Sequence, residues 1–232
     1  VSPFYPYARQ DKKHRGREPI SARLIADLYK TAGADRLMCV DLHTSQIQGF
    51  FDGPLDHLFA IPVLAEYIKS RVENPENVTV VSPDTGRVRV AEHWATLLGG
   101  APLAFVHKTR DINVPNQAVS KTVVGEIEGR SCVLIDDMID TGGTIAGAVN
   151  VLKEKGAKEV IIAATHPVFS GPAVERLSGC GASEVVVTNT LPVPDDKRFE
   201  NLTVLSIAPL VARAIREVFD EGSVTNIFND HA

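Results

Sequence analysis

The clearest chemistry in the sequence lies in residues 136–144, which read Asp-Asp-Met-Ile-Asp-Thr-Gly-Gly-Thr. The apolar run 132–135 before them is typical of a buried parallel strand, and Ile145, Val149 and Leu152 after them recur at helical spacing. The start of a helix attracts anions because its first N–H groups have no partner within the helix. Glycines let the backbone approach a phosphate, threonines add hydroxyl donors, and carboxylates suit sugar hydroxyls or hydrated Mg²⁺. The segment therefore predicts a binding site for a sugar phosphate.

Polar and charged side chains also follow three other apolar runs that have strand character. In an α/β fold, parallel strands bring their carboxyl ends to one edge of the sheet, where ligands bind. Taken alone, each such strand end is also compatible with solvated acids, a plain turn or a surface charge pair. The side chains concerned are Asp41 and His43, Asp84, and Lys108 with Arg110.

The elements that would position these groups alternate along the chain, which favours a mostly parallel sheet flanked by helices. The first helix is predicted to carry Leu24, Ile25 and Leu28 on one face. Residues 44–54 are predicted to form a loop, and residues 111–117, polar and interrupted by proline, a flexible lid. Predicted strands cover residues 37–40, 78–81, 103–106, 119–124, 132–135, 160–164, 184–187 and 203–205, and predicted helices cover 21–32, 62–72, 90–98, 145–152, 172–177 and 211–218.

Composition restricts the class of protein. The 232 residues are 44% hydrophobic and 23% charged, with a formal net charge of -5, which is typical of a soluble globular protein and argues against general affinity for nucleic acid. The three cysteines lie far apart and predict reduced core thiols in a cytoplasmic protein. No apolar segment approaches the roughly 20 residues of a membrane span, so no membrane partner is expected. Because the chain begins at Val1 rather than Met, we expect sequence to be missing ahead of it.

Longer strings around these residues resemble those of one family. Residues 132–144 resemble the phosphoribosyl pyrophosphate (PRPP) motif shared by type I phosphoribosyltransferases and ribose-phosphate pyrophosphokinases. Residues 41–51, Asp-Leu-His-Thr-Ser-Gln-Ile-Gln-Gly-Phe-Phe, resemble a signature of the pyrophosphokinases that simple phosphoribosyltransferases lack. Similar strings at 7–13, 82–84, 107–110 and 189–192 extend the resemblance over nearly the whole chain.

The resemblance implies a fold and an activity. The fold would be α/β, with two tandem type I phosphoribosyltransferase-like domains that have mostly parallel sheets, the first one incomplete. The implied domains are residues 1–57, with 218–232 packing back on them, and residues 58–217, which carry the PRPP motif. The implied reaction transfers the diphosphoryl group of ATP to the 1-hydroxyl of ribose 5-phosphate, with Mg²⁺, and gives PRPP and AMP. Phosphate and ADP would be effectors, and the protein would be a homo-oligomer, a hexamer in this family.

By position, the resemblance also assigns candidate roles, in a reaction that depends on positioning and charge stabilisation. The candidate ATP-binding residues are Arg9 and Gln10, the metal ligands His43 and Asp84, and the catalytic residues Lys108 and Arg110. The candidate ribose 5-phosphate residues are Arg110, Asp136, Asp137, Asp140, Thr141, Gly142, Gly143 and Thr144. The candidate regulatory residues are Ser45, Asp56, Ser223, Val224 and Thr225.

Two other functions are compatible with the same superfamily. A phosphoribosyltransferase that consumes PRPP would need a base-binding hood, and no such segment is identified. A non-catalytic regulatory subunit associated with the synthetase should have a damaged lid or metal site, yet His43, Asp84, Lys108 and Arg110 are all present.

One departure from the family pattern is the single glycine, Gly86, where many members have two before the residue that corresponds to Arg87.

Overall fold

The computed structural model describes residues 1–13, 15–84, 86, 88–109 and 120–229. Nine strands are found in the described chain: β1 Leu37–Val40, β2 Leu55–Leu58, β3 Val78–Ser82, β4 Leu103–Thr109, β5 Ser120–Val124, β6 Ser131–Ile139, β7 Glu159–Pro167, β8 Glu184–Thr188 and β9 Leu202–Leu205. The α-helices of the same residues are α1 Ser21–Thr31, α2 Ile61–Arg71, α3 Val88–Leu97, α4 Gly143–Glu154, α5 Ala173–Gly179, α6 Ala208–Phe219 and α7 Asn226–Asn229. The mostly parallel α/β class predicted from the sequence is confirmed.

The chain divides into two compact units. Unit 1 comprises Val1–Ala60 with Ser206–Ala232, and unit 2 comprises Ile61–Leu205. The sequence predicts divisions at 57/58 and 217/218, whereas the units divide at 60/61 and 205/206, since α6 belongs with unit 1. In the part of the chain that the structure describes, no helix has the length and hydrophobicity of a membrane span.

Unit 2 is built on a seven-stranded sheet in the order β5-β4-β3-β6-β7-β8-β9, counted over the described residues. Among the strands that the structure describes in this sheet, β5 alone is antiparallel to its neighbour. The central strand β6 pairs with β3 on one side and β7 on the other, and Leu134 and Ile162 on this pair are buried together with Val149 and Leu152 of α4. Strands covered on both faces read as continuous apolar runs, which is why the sequence revealed them.

Unit 1 contains the parallel pair β1 and β2. The opening residues run along β1, since the N–H of Ser2 donates to the carbonyl of Met38 at 2.8 Å and that of Val40 donates to Pro3 at 3.0 Å. A buried cluster joins α1 to this sheet, and its members include Tyr5, Ala22, Ala26, Cys39 and Ile47. The result is a separate small core beneath the loops that follow Tyr5 and β1.

Several element predictions are wrong in detail. Strand β6 continues through Ile139, so Asp136 and Asp137 lie inside the strand rather than beyond its end. Residues 44–54, predicted as a loop, include a 3-10 helix at Ser45–Phe50. The short strand β2 was not predicted from the sequence.

The predicted apolar face of α1 is a core face only in part, because Ile25 packs against the core of unit 1 whereas the two leucines do not. Leu24 and Leu28 are 57% and 54% exposed, while Ala22 and Ala26 are buried. The reason is local, because the ring of Tyr5 packs here and its hydroxyl donates to the carbonyl of Ala22 at 2.7 Å. Small side chains leave room for this ring, and leucines on that face would not.

The cysteines fit the prediction of reduced core thiols. Cys39, Cys132 and Cys180 are buried and free. Burial raises the pKa of Cys39 and that of Cys132 to about 12. Both groups therefore stay protonated and unreactive near neutral pH.

Candidate functional site

The turn between β6 and α4 is the centre of the candidate site in unit 2. Gly142 adopts a left-handed backbone conformation with φ of 72°, and α4 begins at the next residue. The first intrahelical bond runs from the N–H of Ala146 to the carbonyl of Gly142 at 2.9 Å. The N–H groups of residues 143–145 therefore precede the helical hydrogen-bond pattern, and Thr141, Gly143 and Thr144 are exposed. This geometry suits an anion at the helix start.

The turn is held in place from the side of α5. The N–H of Phe169 donates to the carbonyl of Ile139 and that of Ser170 to the carbonyl of Asp140, both at 2.9 Å. Nη1 of Arg176 donates to the carbonyl of Thr141, also at 2.9 Å. The three successive carbonyl groups of residues 139–141 therefore accept hydrogen bonds from α5 and the residues just before it. Arg176 was not predicted as a site residue, and its sequence position gives no signal for this contact.

The two carboxylates of β6 have different surroundings. Asp136 is half-buried and Asp137 is buried. Oδ1 of Asp136 accepts a hydrogen bond from the N–H of Asp137 at 2.8 Å. Successive side chains of a strand point to opposite faces, so the two carboxylates do not form a single patch. Both nevertheless lie within five residues of Thr141, the first exposed hydroxyl of the turn.

A buried polar cluster lies at the same edge of the sheet and was missed from the sequence. His166, 1% exposed near the carboxyl end of β7, has Nδ1 at 2.8 Å from Oγ1 of Thr190. The hydroxyl groups of Thr188 and Thr190 both donate to the carbonyl of Thr165. The string 189–192 was identified as family-like, but a histidine within an apolar run reads as an ordinary core residue. Its partner is visible only once β7 and β8 are paired.

The other predicted residues of unit 2 lie at the ends of β3 and β4. Asp84 is exposed, and its Oδ1 accepts a hydrogen bond from the N–H of Gly86 at 2.8 Å. Lys108 is in β4, paired with Lys121 of β5. Arg110 and the predicted lid at 111–117 lie outside the described residues.

In unit 1, Asp11 joins the loop of the predicted ATP residues to the loop that follows β1. Its carboxylate is 4% exposed, and Oδ2 accepts hydrogen bonds from Oγ1 of Thr44 at 2.7 Å and Nε2 of Gln46 at 2.6 Å. Arg9 and Gln10 therefore lie in the same local structure as His43, next to Thr44 in the chain. Asp11 was not predicted as a site residue, although the string 7–13 that contains it was identified as family-like.

The residues after β1 are held in an unusual conformation. Asp41 has φ of 41°, and its Oδ2 accepts a hydrogen bond from the N–H of Ala60 at 3.1 Å. The N–H of Leu42 donates to Nε2 of His57 at 2.9 Å. These contacts fix the backbone immediately before His43, whose side chain is half-buried.

The candidate regulatory residues also lie in unit 1. Asp56 forms a bidentate pair with Arg36, with Nε to Oδ2 at 2.6 Å and Nη2 to Oδ1 at 2.7 Å, and this hydrogen bonding raises the pKa of Arg36. The hydroxyl groups of Ser223 and Thr225 are 2.9 Å apart and exposed, while Val224 between them is buried. Ser45 is exposed at the start of its 3-10 helix.

Of the two predicted metal ligands, His43 and Asp84, the carboxylate of Asp84 is the hard oxygen donor that suits Mg²⁺. Mg²⁺ commonly takes one or two protein carboxylates and completes its shell with water and substrate phosphates. Asp84 supplies an exposed carboxylate of this kind at a strand end. Over the residues that the structure covers, no cluster of three or more His, Cys, Asp or Glu side chains is placed to hold a metal alone.

Comparison with known proteins identifies similar sequences along the full chain. The model of the phosphoribosyl synthetase-associated domain matches residues 101–229, and that of the N-terminal domain of ribose phosphate pyrophosphokinase matches residues 1–33. The chain is 67% identical over 232 residues to ribose-phosphate pyrophosphokinase from Mycobacterium leprae and 65% identical to that from Bifidobacterium longum, covering 100% of this chain and 71% and 68% of those relatives. The crystal structure of phosphoribosylpyrophosphate synthetase from Mycobacterium smegmatis superposes with a TM-score of 0.87, at 67% identity, over 95% of this chain and 70% of that one.

Proposed function

The chain belongs to the ribose-phosphate pyrophosphokinase family, and from that premise we propose that it transfers the diphosphoryl group of ATP to the 1-hydroxyl of ribose 5-phosphate. The anomeric oxygen forms a bond to the β-phosphorus, the bond from that phosphorus to the oxygen shared with the α-phosphate breaks, and AMP leaves. The products are PRPP and AMP. The observation that carries the proposal is the turn from β6 into α4, whose left-handed Gly142 presents the first N–H groups of α4.

The turn supports a role for residues 140–144 in binding the 5-phosphate. Thr141, Gly143 and Thr144 are exposed there, while the preceding carbonyl groups bond to the α5 side. Asp136 and Asp137 would accept hydrogen bonds from the ribose hydroxyls. A sugar phosphate bound in this way would have its phosphate fixed by backbone donors and its ring fixed by carboxylates.

The remaining roles follow the family pattern. Arg9 and Gln10 would bind ATP, and His43 and Asp84 would hold Mg²⁺, which when bound neutralises charge on the ATP phosphates. Lys108 and Arg110 would stabilise charge on the transferring group, because phosphoryl-type transfer needs positioned cations rather than a covalent nucleophile. The exposed hydroxyl pair of Ser223 and Thr225 supports a regulatory site for phosphate or ADP. We further propose a cytoplasmic homo-oligomer.

The products of ATP and ribose 5-phosphate test the function. Chromatography of the reaction mixture should show AMP that accumulates only when ribose 5-phosphate is present. ADP as the nucleotide product would indicate a simple kinase instead. Consumption of PRPP in the presence of a nucleobase, with no use of ATP, would indicate a phosphoribosyltransferase.

A further inference from the structure

Arg176 lies on α5, outside the short strings 7–13, 41–51, 82–84, 107–110, 132–144 and 189–192 that revealed the resemblance in the sequence. Its Nη1 donates to the carbonyl of Thr141 at 2.9 Å. A methyl group built on Gly143 would lie 3.2 Å from the same nitrogen and 3.8 Å from Cζ. We propose that Arg176 is a positioning residue for the phosphate turn, which fixes the shape of residues 141–143 and strengthens their attraction for the 5-phosphate. This inference rests on the proposed function.

The helix that carries Arg176 is itself fixed relative to the turn. Ala173 and Leu177 of α5 are fully buried in the core of unit 2. Phe169, 1% exposed, precedes α5 and bonds through its N–H to Ile139, while Nζ of Lys197 donates to the Phe169 carbonyl at 2.9 Å. The base of the Arg176 side chain is therefore anchored by packing, although its guanidinium is exposed.

The hydrogen bond from Arg176 to the Thr141 carbonyl should make the N–H of Gly142, in the same peptide group, a stronger donor. A charged donor on a carbonyl makes a hydrogen bond roughly twice as strong as a neutral one, and it polarises the peptide group that it touches. The peptide between Thr141 and Gly142 carries the N–H of Gly142, at the entrance to α4. The positive charge of Arg176 also adds to the positive end of the α4 dipole. Both effects favour a dianionic phosphate.

Gly143 is coupled to Arg176 by the same geometry. The nearest atom that a Cβ at Gly143 would meet belongs to a flexible side chain and not to the backbone. Gly143→Ala should therefore fold but push the guanidinium away from Thr141. Two substitutions that remove one contact should not add, since the second has nothing left to remove.

Equilibrium binding of ribose 5-phosphate to the 232-residue chain tests the inference by calorimetry, with thermal melting as a check of folding. Arg176→Ala, and Arg176→Gln as a second variant, should weaken ribose 5-phosphate binding about 5- to 30-fold, which is the lower part of the range for a hydrogen bond from a charged group because the guanidinium is exposed to solvent. Arg176→Lys should bind ribose 5-phosphate with an affinity between that of the parent and that of Arg176→Ala. The loss should shrink at high ionic strength because part of it is electrostatic, whereas a purely structural role would give no such dependence.

Lys158→Ala is the matched control, since it removes one positive charge from an exposed side chain just before the amino end of β7. It should leave ribose 5-phosphate affinity unchanged, and ATP affinity should be unchanged in every variant. Gly143→Ala should weaken ribose 5-phosphate binding at least as much as Arg176→Ala, because its methyl group also limits the approach of the phosphate to the backbone, and the loss in the double variant should be smaller than the sum of the two single losses. Parent-like binding by Arg176→Ala and Arg176→Gln, an equal loss in Lys158→Ala, or fully additive losses would each overturn the inference.

The inference and the proposed function fail separately. If ribose 5-phosphate binding depends on Arg176 as expected but no AMP forms from ATP, the inference stands and the function is wrong. If AMP forms and Arg176→Ala binds ribose 5-phosphate like the parent, only the inference is wrong. A parent chain that binds no ribose 5-phosphate would overturn both.

Discussion

Thr44 donates its hydroxyl hydrogen bond to Oδ2 of Asp11 over 2.7 Å, and this contact joins two loops that are more than thirty residues apart in the chain. Gln46 donates to the same oxygen. Asp11 is only 4% exposed, so these two hydrogen-bond donors offset the cost of burying its polar side chain. The contact gives a physical reason for the loop of Arg9 and Gln10 to lie beside that of His43.

Asp11→Ala should therefore weaken ATP binding without weakening ribose 5-phosphate binding. Two donors would lose their acceptor, at a cost of about 1–3 kcal/mol in the free energy of unfolding. Urea unfolding and calorimetric binding of ATP and ribose 5-phosphate would measure both effects. Asp52→Ala, which changes an exposed carboxylate of the same unit, is the control and should alter neither.

An isosteric change sharpens this test. Asp11→Asn keeps an amide oxygen that can accept hydrogen bonds from both Thr44 and Gln46. We expect this variant to retain most of the ATP affinity that Asp11→Ala loses. An equal loss of ATP affinity in the two variants, with both proteins folded, would count against the bridging role of Asp11.

Gly142 is required for its backbone conformation more than for space. A Cβ there would make ordinary contacts at 3.5 and 3.6 Å with the backbone of Ala173, but the φ of 72° is strained for most side chains by about 1–2 kcal/mol. Gly142→Ala should lower the melting temperature and weaken ribose 5-phosphate binding. Gly142→Asn is the matched comparison, because asparagine tolerates this conformation better, and it should lose less of both. Equal losses in the two variants would contradict a conformational cause.

Glu184 should make unit 2 sensitive to acid. It accepts hydrogen bonds from Tyr67 at 2.6 Å, from Thr203 and from Arg71 at 3.0 Å. Burial opposes its ionisation, but the hydrogen bonds outweigh burial and lower its pKa below the ordinary 4.5. Because the pKa of Glu184 is lower in the folded state than in the unfolded state, its ionised form stabilises the fold at any pH above the unfolded-state pKa. This contribution disappears as the pH falls through the folded-state pKa.

The free energy of unfolding should consequently decrease as pH falls below 4.5, and Glu184→Gln should reduce that dependence. Denaturant unfolding at a series of pH values measures it. Glu73→Gln provides the control, since Glu73 is exposed and makes only a long ion pair, with 3.9 Å between its Oε2 and Nζ of Lys158. Identical pH dependence in the parent and Glu184→Gln would show that the Glu184 cluster does not supply the effect.

Lys108 should act mainly in the transition state. Its backbone is fixed by antiparallel pairing of β4 with β5, so the start of the following segment is anchored. Loss of one preorganised interaction with developing charge typically lowers the rate by about 10²–10³. Lys108→Ala should lower kcat by that amount while ribose 5-phosphate affinity stays near that of the parent. Turnover equal to that of Lys158→Ala would identify Lys108 as an ordinary surface charge.

The sequence revealed the parts of the site that depend on local pattern. The Gly-Gly turn after an apolar run, and Asp84 after β3, were predictable because strand and helix periodicities are local. Strand β6 was predicted too short because Asp136 and Asp137 disfavour strands, whereas pairing with β7 overrides that preference.

Other features depend on contacts between distant segments. Arg176 and Asp11 have roles that only tertiary structure shows, since each bonds to a loop 35 or 33 residues away. The face that α1 buries was also unpredictable, because the helix has one apolar face with Leu24 and Leu28 and another with Ala22 and Ala26. The alanine face is buried because Tyr5 packs against it.

The central claim is that an intact diphosphoryl group moves from ATP to the 1-hydroxyl of ribose 5-phosphate. Phosphorus NMR of a reaction containing ATP, ribose 5-phosphate and Mg²⁺ follows this directly. We predict that AMP and PRPP appear in equal amounts, with the two transferred phosphorus atoms still coupled to each other and one of them coupled to the hydrogen on C1. Formation of ADP or free orthophosphate in place of these products, or AMP accompanied only by free pyrophosphate, would contradict the proposed reaction.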